Sequence, residues 1–415
     1  MADLIEYIRW RGDLTFSERP FNNIDNLVLS QVCYQDLEGI APAAGQGSIS
    51  LHEAAEQYFT GDLDRGMITG QDWEQNNQFF SEVSRSRRFC GIRISDYVNE
   101  IDSTGAKRTQ FCAMLFTLPD GSRYIAYRGT DDTVVGWEED FMLSYTVTEA
   151  QEKALQYMVD LLHRYPSPRP GLLDRLSGRS GDHRRERWMA GGHSKGGNLA
   201  VYAAARLPLA LQDRIEGVYD NDGPGFDREV LSPELFDRIR GRVRKIVPEY
   251  SVIGMLLEDP QVRRNLEEQD EWLMVVRSSG KKIMQHWALT WQVEGTDFCR
   301  AEGLDTQAEK IDSLLDRWIS SATFDEREAF VSTLFGAMKE VGPNISDVMA
   351  NGRTLTRTLT RDFLHSDPET RTAVAKFFLS LYEEGMDSMP EHIPLIHRSK
   401  AEHQERTEYE ENDNE

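Results

Sequence analysis

The spacing of hydrophobic positions changes from helical to strand-like near residue 85. Before that point, apolar residues in 23–38 and 50–60 recur at roughly helical spacing, and Ser50 and Glu53 have the spacing of a capping box. After it come short apolar runs bounded by turn residues, which predict strands at 97–102, 109–117 and 123–128. The pattern predicts a helical N-terminal segment, residues 1–85, packed on a sheet that follows it.

Strands and helices then alternate along the chain. Helices are predicted over 150–165 and 198–206, and the second ends just before Pro208. Further strands are predicted at 187–191, 215–220, 243–248 and 272–277. This alternation predicts an α/β fold over residues 86–303, with a mostly parallel sheet covered by helices on both faces.

The last quarter of the chain has a different pattern. Residues 304–398 are predicted to be helical, with breaks at Gly342-Pro343 and Asp367-Pro368. These helices are interpreted as a lid, a partner surface or packing over the sheet. An apolar stripe at helical spacing favours core packing over contact with a membrane: Phe330, Leu334, Phe335 and Met338. Residues 399–415 are strongly acidic, which predicts a disordered tail.

Composition and charge exclude several classes of protein to which this chain could belong. The chain has 415 residues, 39% of them hydrophobic, and a formal charge of −23, which argues against a nucleic-acid binder. Its start lacks a signal-peptide pattern, and no apolar run approaches a membrane span. The four cysteines have no metal-site spacing: Cys33, Cys90, Cys112 and Cys299. We expect a cytoplasmic protein with reduced thiols, no metal and no cofactor.

Ser194 lies in Gly192-His193-Ser194-Lys195-Gly196, between a predicted strand and an alanine-rich predicted helix. Gly-x-Ser-x-Gly in this order is typical of the nucleophile elbow of an α/β-hydrolase, a tight turn that exposes a serine hydroxyl. The alternative is a glycine-rich helix start at which Ser194 is a structural N-cap. The order of strand, motif and helix favours the elbow.

A serine nucleophile needs a base, which an acid in turn orients. His286 is the first histidine after the elbow, and the chain order of nucleophile, acid and histidine predicts it as the base. Five carboxylates between the two remain candidates for the acid: Asp220, Asp222, Glu249, Glu258 and Asp259. Asp222 is favoured, with an Asx turn as its alternative role, and Glu258 is second.

An oxyanion hole needs two backbone N–H groups. We expect one of these N–H groups to come from Lys195, the residue after the nucleophile, whose ammonium is expected on the helix side or toward solvent. The second N–H is expected from Thr130, which follows a predicted strand and Gly129. The alternative for this second segment is an ordinary turn in which Arg128 makes a structural ion pair.

These motifs resemble those of class 3, fungal-type, lipases. That family has a strand ending in Arg-Gly-Thr, then Trp-x-x-Asp, then Gly-His-Ser-x-Gly-Gly, as at residues 128–130, 137–140 and 192–197 here. The chain is more similar still to uncharacterised bacterial lipase-like α/β-hydrolases with a Gly-His-Ser-Lys-Gly-Gly-Asn-Leu-Ala elbow. The resemblance covers about residues 20–300 and implies a lipase or esterase fold.

In class 3 lipases the acid is an aspartate at the position of Ser251 in this chain. Three alternatives follow for this chain: the acid is Asp222 or Glu258 instead, the site works as a Ser–His dyad without an acid, or the site catalyses the reaction slowly. The leading hypothesis is a serine hydrolase of small-molecule or lipid carboxylic esters. The alternative is a catalytically weak or inactive hydrolase-fold protein with a binding or structural role.

Overall fold

A computed structural model describes residues 2–61, 71–102, 109–130, 133–143, 145–166, 187–257, 273–310, 312–313, 323–344, 347–348 and 351–365. Within these residues, eight strands form one sheet in the order in which they occur in the chain. They are β1 (Ile49–Ser50), β2 (Arg93–Asp102), β3 (Thr109–Thr117), β4 (Arg123–Tyr127), β5 (Trp188–His193), β6 (Ile215–Asn221), β7 (Val243–Pro248) and β8 (Leu273–Val276).

The sheet has an antiparallel half and a parallel half. Neighbouring strands from β1 to β4 are antiparallel, and those from β4 to β8 are parallel. β3 and β7 coincide with their predictions, whereas β2 begins four residues earlier than the predicted 97–102. The register of β2 shifts between Ser95 and Val98, and Asp96 in this bulge has a φ of +54°. The bulge interrupts the strand pattern, which explains the late predicted start.

Four helices form a layer on one face of the sheet: α1 (Leu4–Arg11), α2 (Asn23–Val32), α3 (Leu51–Thr60) and α4 (Gln71–Arg85). The predicted capping box of Ser50 and Glu53 is present at the start of α3. α2 stops at Val32 rather than continuing to residue 38. The N–H of Tyr34 donates to the carbonyl three residues back, and the Asp36 carboxylate accepts the N–H of Glu38, so local bonds replace the helix.

The other face of the sheet packs against α6 (Glu149–Arg164) and α7 (Lys195–Arg206), which follow α5 (Val134–Leu143). Side chains alternate between the two faces along each strand. Met114 of β3 joins the N-terminal helices, and its neighbours Ala113 and Leu115 join α6 and α7. Two short helices follow, α8 (Leu209–Gln212) and α9 (Pro233–Asp237). The predicted α/β architecture, with helices on both faces, is confirmed.

The C-terminal region contributes α10 (Phe324–Val341) and α11 (Gly352–His365). Phe330 and Phe335 of the predicted stripe are buried in a cluster with Val134 and Tyr145, so the stripe packs beside α5. α10 ends at Val341, directly before the predicted break at Gly342-Pro343. The second predicted break and the acidic tail lie outside the described residues, and the boundaries at 85, 303 and 398 stay predictions. No described helix has the length and apolarity to cross a membrane.

Candidate active site

Ser194 occupies a strained turn between β5 and α7. Its φ is +57° and its ψ is −129°, a combination rare for residues other than glycine. Although Ser194 stands at the N-cap position of α7, its side chain makes no capping hydrogen bond. The reading of Ser194 as a structural N-cap is therefore wrong, because such a cap accepts a hydrogen bond from the first turn. The strained strand-to-helix turn has the backbone geometry of a nucleophile elbow.

The glycines around Ser194 leave room for this turn. A Cβ at Gly192 would lie 2.3 Å from the carbonyl carbon of Gly196, and one at Gly196 would lie 2.1 Å from the carbonyl oxygen of Tyr127. At Gly197 it would lie 2.3 Å from the Asp220 carboxylate. A residue larger than glycine at any of these three positions would collide with β4, β6 or the turn itself.

His286 and Asp222 meet at the same edge of the sheet. His286 ends a short 3₁₀ helix after β8, Lys282–His286, and Asp222 directly follows β6. His286 Nδ1 lies 2.6 Å from Asp222 Oδ2, and the carboxylate is almost wholly buried. Asp222 itself has a φ of +55°. Of the five candidate acids, Glu258 and Asp259 lie outside the described residues.

Ser251 contacts the carboxylate of Asp222, which lies at the end of β6. Its hydroxyl donates a hydrogen bond to Asp222 Oδ1, the oxygen that does not face His286. A Cβ at Gly254 would lie 2.1 Å from the same oxygen, so this glycine also makes room for the carboxylate. Ser251, which follows β7, thus holds the buried Asp222 carboxylate at the end of the neighbouring strand β6.

Asp220, another candidate acid, has different partners. Its Oδ2 lies 2.8 Å from Lys245 Nζ, and its Oδ1 accepts the N–H of Gly223 at 2.8 Å. Lys245 also donates to the carbonyl of Gly223. The buried pair closes the turn that holds Asp222, so the turn-stabilising role considered for Asp222 belongs to Asp220.

The two residues predicted for the oxyanion hole flank the turn. Lys195 is the first residue of α7, where backbone N–H groups have no intrahelical acceptor. Thr130 follows Gly129, whose Cβ would lie 2.4 Å from the His193 carbonyl oxygen, so this segment packs on the elbow. Arg128, for which the alternative was a structural ion pair, is buried and donates a hydrogen bond to Asn99 Oδ1.

The ammonium of Lys195 does not face solvent, which corrects that part of the expectation. Its side chain is 1% exposed, and Nζ lies 2.9 Å from Glu139 Oε2 on α5. α5 also brings Trp137 beside His286, with ring centroids 6.0 Å apart in an edge-on arrangement. Trp137 belongs to the Trp-x-x-Asp motif shared with class 3 lipases, but the motif alone does not indicate that the tryptophan packs against His286.

His193, the residue before Ser194, also lies beside His286. Its ring centroid lies 4.8 Å from that of His286, and its Nε2 lies 2.8 Å from the His286 carbonyl oxygen. Burial lowers the pKa of His193 to about 3, with a smaller contribution from His286. In the part of the chain that is described, no group of histidine, cysteine and acidic residues could hold a metal ion.

Comparison with known proteins finds a matching family model. A family model described as Mbeg1-like matches residues 83–336, more than half of the 415 residues. A solved structure of M37 lipase is 15% identical, covers 60% of this chain and 76% of its own, and has a TM-score of 0.32, too low to carry an argument. No curated protein matches the chain. The strained serine turn at the end of β5, in a sheet that is parallel from β4 to β8 and has helices on both faces, confirms the predicted α/β-hydrolase fold.

Proposed function

This chain belongs to the Mbeg1-like family, and we propose that it is a serine hydrolase of carboxylic esters, lipid esters included. Ser194 is the nucleophile, His286 the general base and Asp222 the acid that orients it. The observation that carries the proposal is the 2.6 Å contact between His286 and Asp222, at the sheet edge that also carries the strained Ser194.

The contact supports a different role for each nitrogen of His286. Nδ1 is engaged by the carboxylate, so Nε2 is the nitrogen left to accept a proton. Nε2 takes the hydroxyl proton as Ser194 Oγ attacks the ester carbonyl carbon, and gives it to the departing alkoxide. Water then attacks the acyl-enzyme, and the proton it loses through Nε2 returns to Ser194. Buried Asp222 stabilises the imidazolium in both steps.

The N–H groups of Lys195 and Thr130 stabilise the oxyanion. They stand on the two segments that pack together at Gly129 and Gly196, beside the serine. The buried pair of Lys195 and Glu139 fixes the first turn of α7, and so the direction of the Lys195 N–H. Neither donor requires a cofactor.

Turnover of a short p-nitrophenyl ester tests the proposal. Replacement of Ser194 or His286 by alanine should each lower kcat about 10⁶-fold, because the two act as one unit. Ser17→Ala removes an exposed hydroxyl hydrogen-bonded to Thr15, in the N-terminal layer, and is the matched control. Turnover that survives in Ser194→Ala would refute the proposal, and a folded wild-type protein with no turnover would favour a binding or structural role.

A further inference from the structure

His193, the residue before the nucleophile, contacts the backbone of the loop that carries His286. Its Nε2 lies 2.8 Å from the carbonyl oxygen of His286, and its Nδ1 lies 3.0 Å from the hydroxyl of Tyr34. We propose that His193, oriented by Tyr34, is a positioning residue that fixes His286 for proton transfer. The inference rests on the proposed function, in which His286 is the base.

The direction of both hydrogen bonds follows from the partners. A carbonyl oxygen only accepts, so Nε2 of His193 carries the proton and donates to His286. Nδ1 of a neutral ring then only accepts, so the hydroxyl of Tyr34 donates to it at 3.0 Å, and the His193 carbonyl oxygen, 3.4 Å from the same hydroxyl, is the more distant acceptor. The lowered pKa of His193, caused mainly by burial, keeps the ring neutral at pH 7. The hydroxyl of Tyr34 thereby favours the tautomer of His193 that carries its proton on Nε2 and can donate to the His286 carbonyl oxygen.

The preceding carbonyl of the same loop is held in the same way. Trp291 Nε1 donates to the carbonyl oxygen of Gln285 at 2.8 Å, and the side chain of Gln285 accepts the N–H of Tyr250 at 2.9 Å. Two successive carbonyls thus each bind an N–H of a buried ring, one from Trp291 and one from His193. Asp222 holds the ring of His286, and these two donors hold its backbone.

Gly129 leaves the space that this arrangement needs. A Cβ there would lie 1.9 Å from the hydroxyl oxygen of Tyr34 and 2.4 Å from the carbonyl oxygen of His193. Because residue 129 has no side chain, three segments can meet here: the residues after α2, the turn at Ser194 and the segment that carries Thr130. His193 is fixed from the same side of the site as one proposed oxyanion donor.

Positioning matters because proton transfer depends steeply on geometry. A displacement of about 1 Å at a reacting group costs on the order of 100-fold in rate. The donor atom of His193 contacts a backbone carbonyl and neither reactive nitrogen of His286, so its effect passes through His286. Loss of this bond should lower kcat and leave substrate binding, and hence KM, nearly unchanged.

The test compares two substitutions of His193. Glutamine keeps an N–H donor on a side chain of similar reach, whereas phenylalanine keeps the ring and removes both nitrogens. With p-nitrophenyl butyrate, His193→Phe should lower kcat about 10- to 100-fold at similar KM. His193→Gln should restore most of the loss, and thermal unfolding of both variants confirms that each is folded.

A second pair of variants decides the matter should His193→Phe fail to fold. Tyr34→Phe removes the hydroxyl that selects the tautomer and should lower kcat several-fold. Tyr58→Phe is its matched control, because Tyr58 is also a buried tyrosine of the N-terminal layer but donates to Asn77, away from the site. It should leave kcat and KM at the wild-type values.

The outcomes separate this inference from the proposed function. If wild-type turnover is independent of Ser194, the proposed function fails and the inference falls with it. If turnover depends on Ser194 but folded His193→Phe keeps the wild-type kcat, only the inference is refuted. The inference is refuted equally if glutamine is no better than phenylalanine, or if Tyr34→Phe behaves like Tyr58→Phe.

Discussion

The carboxyl end of the sheet and the N-terminal helical layer both bury a carboxylate, with different consequences. In the layer, Asp25 of α2 pairs with Arg88, whose Nε lies 2.7 Å from Oδ1. Arg88 also donates to three backbone carbonyls in the segment between α1 and α2: Leu14, Arg19 and Pro20. At the sheet edge, Asp222 pairs with His286, whose Nδ1 lies 2.6 Å from Oδ2.

The two regions differ in backbone strain and in the partner's access to solvent. Asp25 lies in regular helix, and the side chain of Arg88 is 1% exposed. Asp222 and Ser194 both have positive φ, and the side chain of His286 is 13% exposed. A buried carboxylate is therefore no sign of a reactive site by itself. Strain and a reachable titratable partner distinguish the sheet edge from the layer.

The largest difference should appear when each carboxylate becomes an amide. Asp222→Asn should lower kcat about 10⁴-fold, because an amide favours the wrong tautomer of His286. Asp25→Asn should leave the kcat of the folded protein unchanged. Steady-state kinetics on both variants measure the contrast, and equal effects on kcat would remove the distinction between the regions.

Breaking the ion pair of the layer should affect stability instead. Arg88→Leu leaves the Asp25 carboxylate buried without its partner and should lower the free energy of unfolding by about 3–5 kcal/mol. Urea denaturation measures the loss, with exposed Arg87→Leu as the control. A loss below about 1 kcal/mol would show that the buried pair behaves like a surface pair.

A smaller effect should appear in the pH dependence of stability at the sheet edge. The pKa of His193 falls from an ordinary value of 6.5 in the unfolded chain to about 3 in the folded protein. Below pH 6.5 only the unfolded chain takes up this proton, so stability is lost as the pH falls toward 3. Between pH 7 and pH 5 the wild type should lose about 2 kcal/mol more than His193→Gln. Parallel curves for the two proteins would contradict the buried, neutral histidine.

The sequence predicted best where one local pattern decides the structure. β3 contains a continuous apolar run at residues 111–116, β7 ends in a shorter one at residues 246–248, and both strands coincide with their predicted ranges. The strained turn at Ser194 followed from glycine spacing, since only glycine fits the close approach at Gly192 and Gly196. The end of α2 was predicted too late, because helical spacing does not register the competing bonds at Asp36.

Contacts between distant segments could not be predicted in this way. Chain order predicted His286 as the base, and the sequence favoured Asp222 among five carboxylates, but the contact between the two depends on the positive φ of Asp222 and on the hydroxyl of Ser251. Tyr34 lies 159 positions from His193, and no periodic pattern joins them. Lys195 offered no sign that Glu139 would draw its ammonium inward.

Covalent labelling with a fluorophosphonate probe, followed by peptide mapping, tests the central claim most directly. The probe reacts with a serine that a neighbouring base activates. We expect one adduct on Ser194 in the wild type, none in Ser194→Ala, and strongly slowed labelling in His286→Ala. No adduct on the folded wild type, or labelling unchanged in Ser194→Ala, would contradict the assignment of Ser194 as the nucleophile.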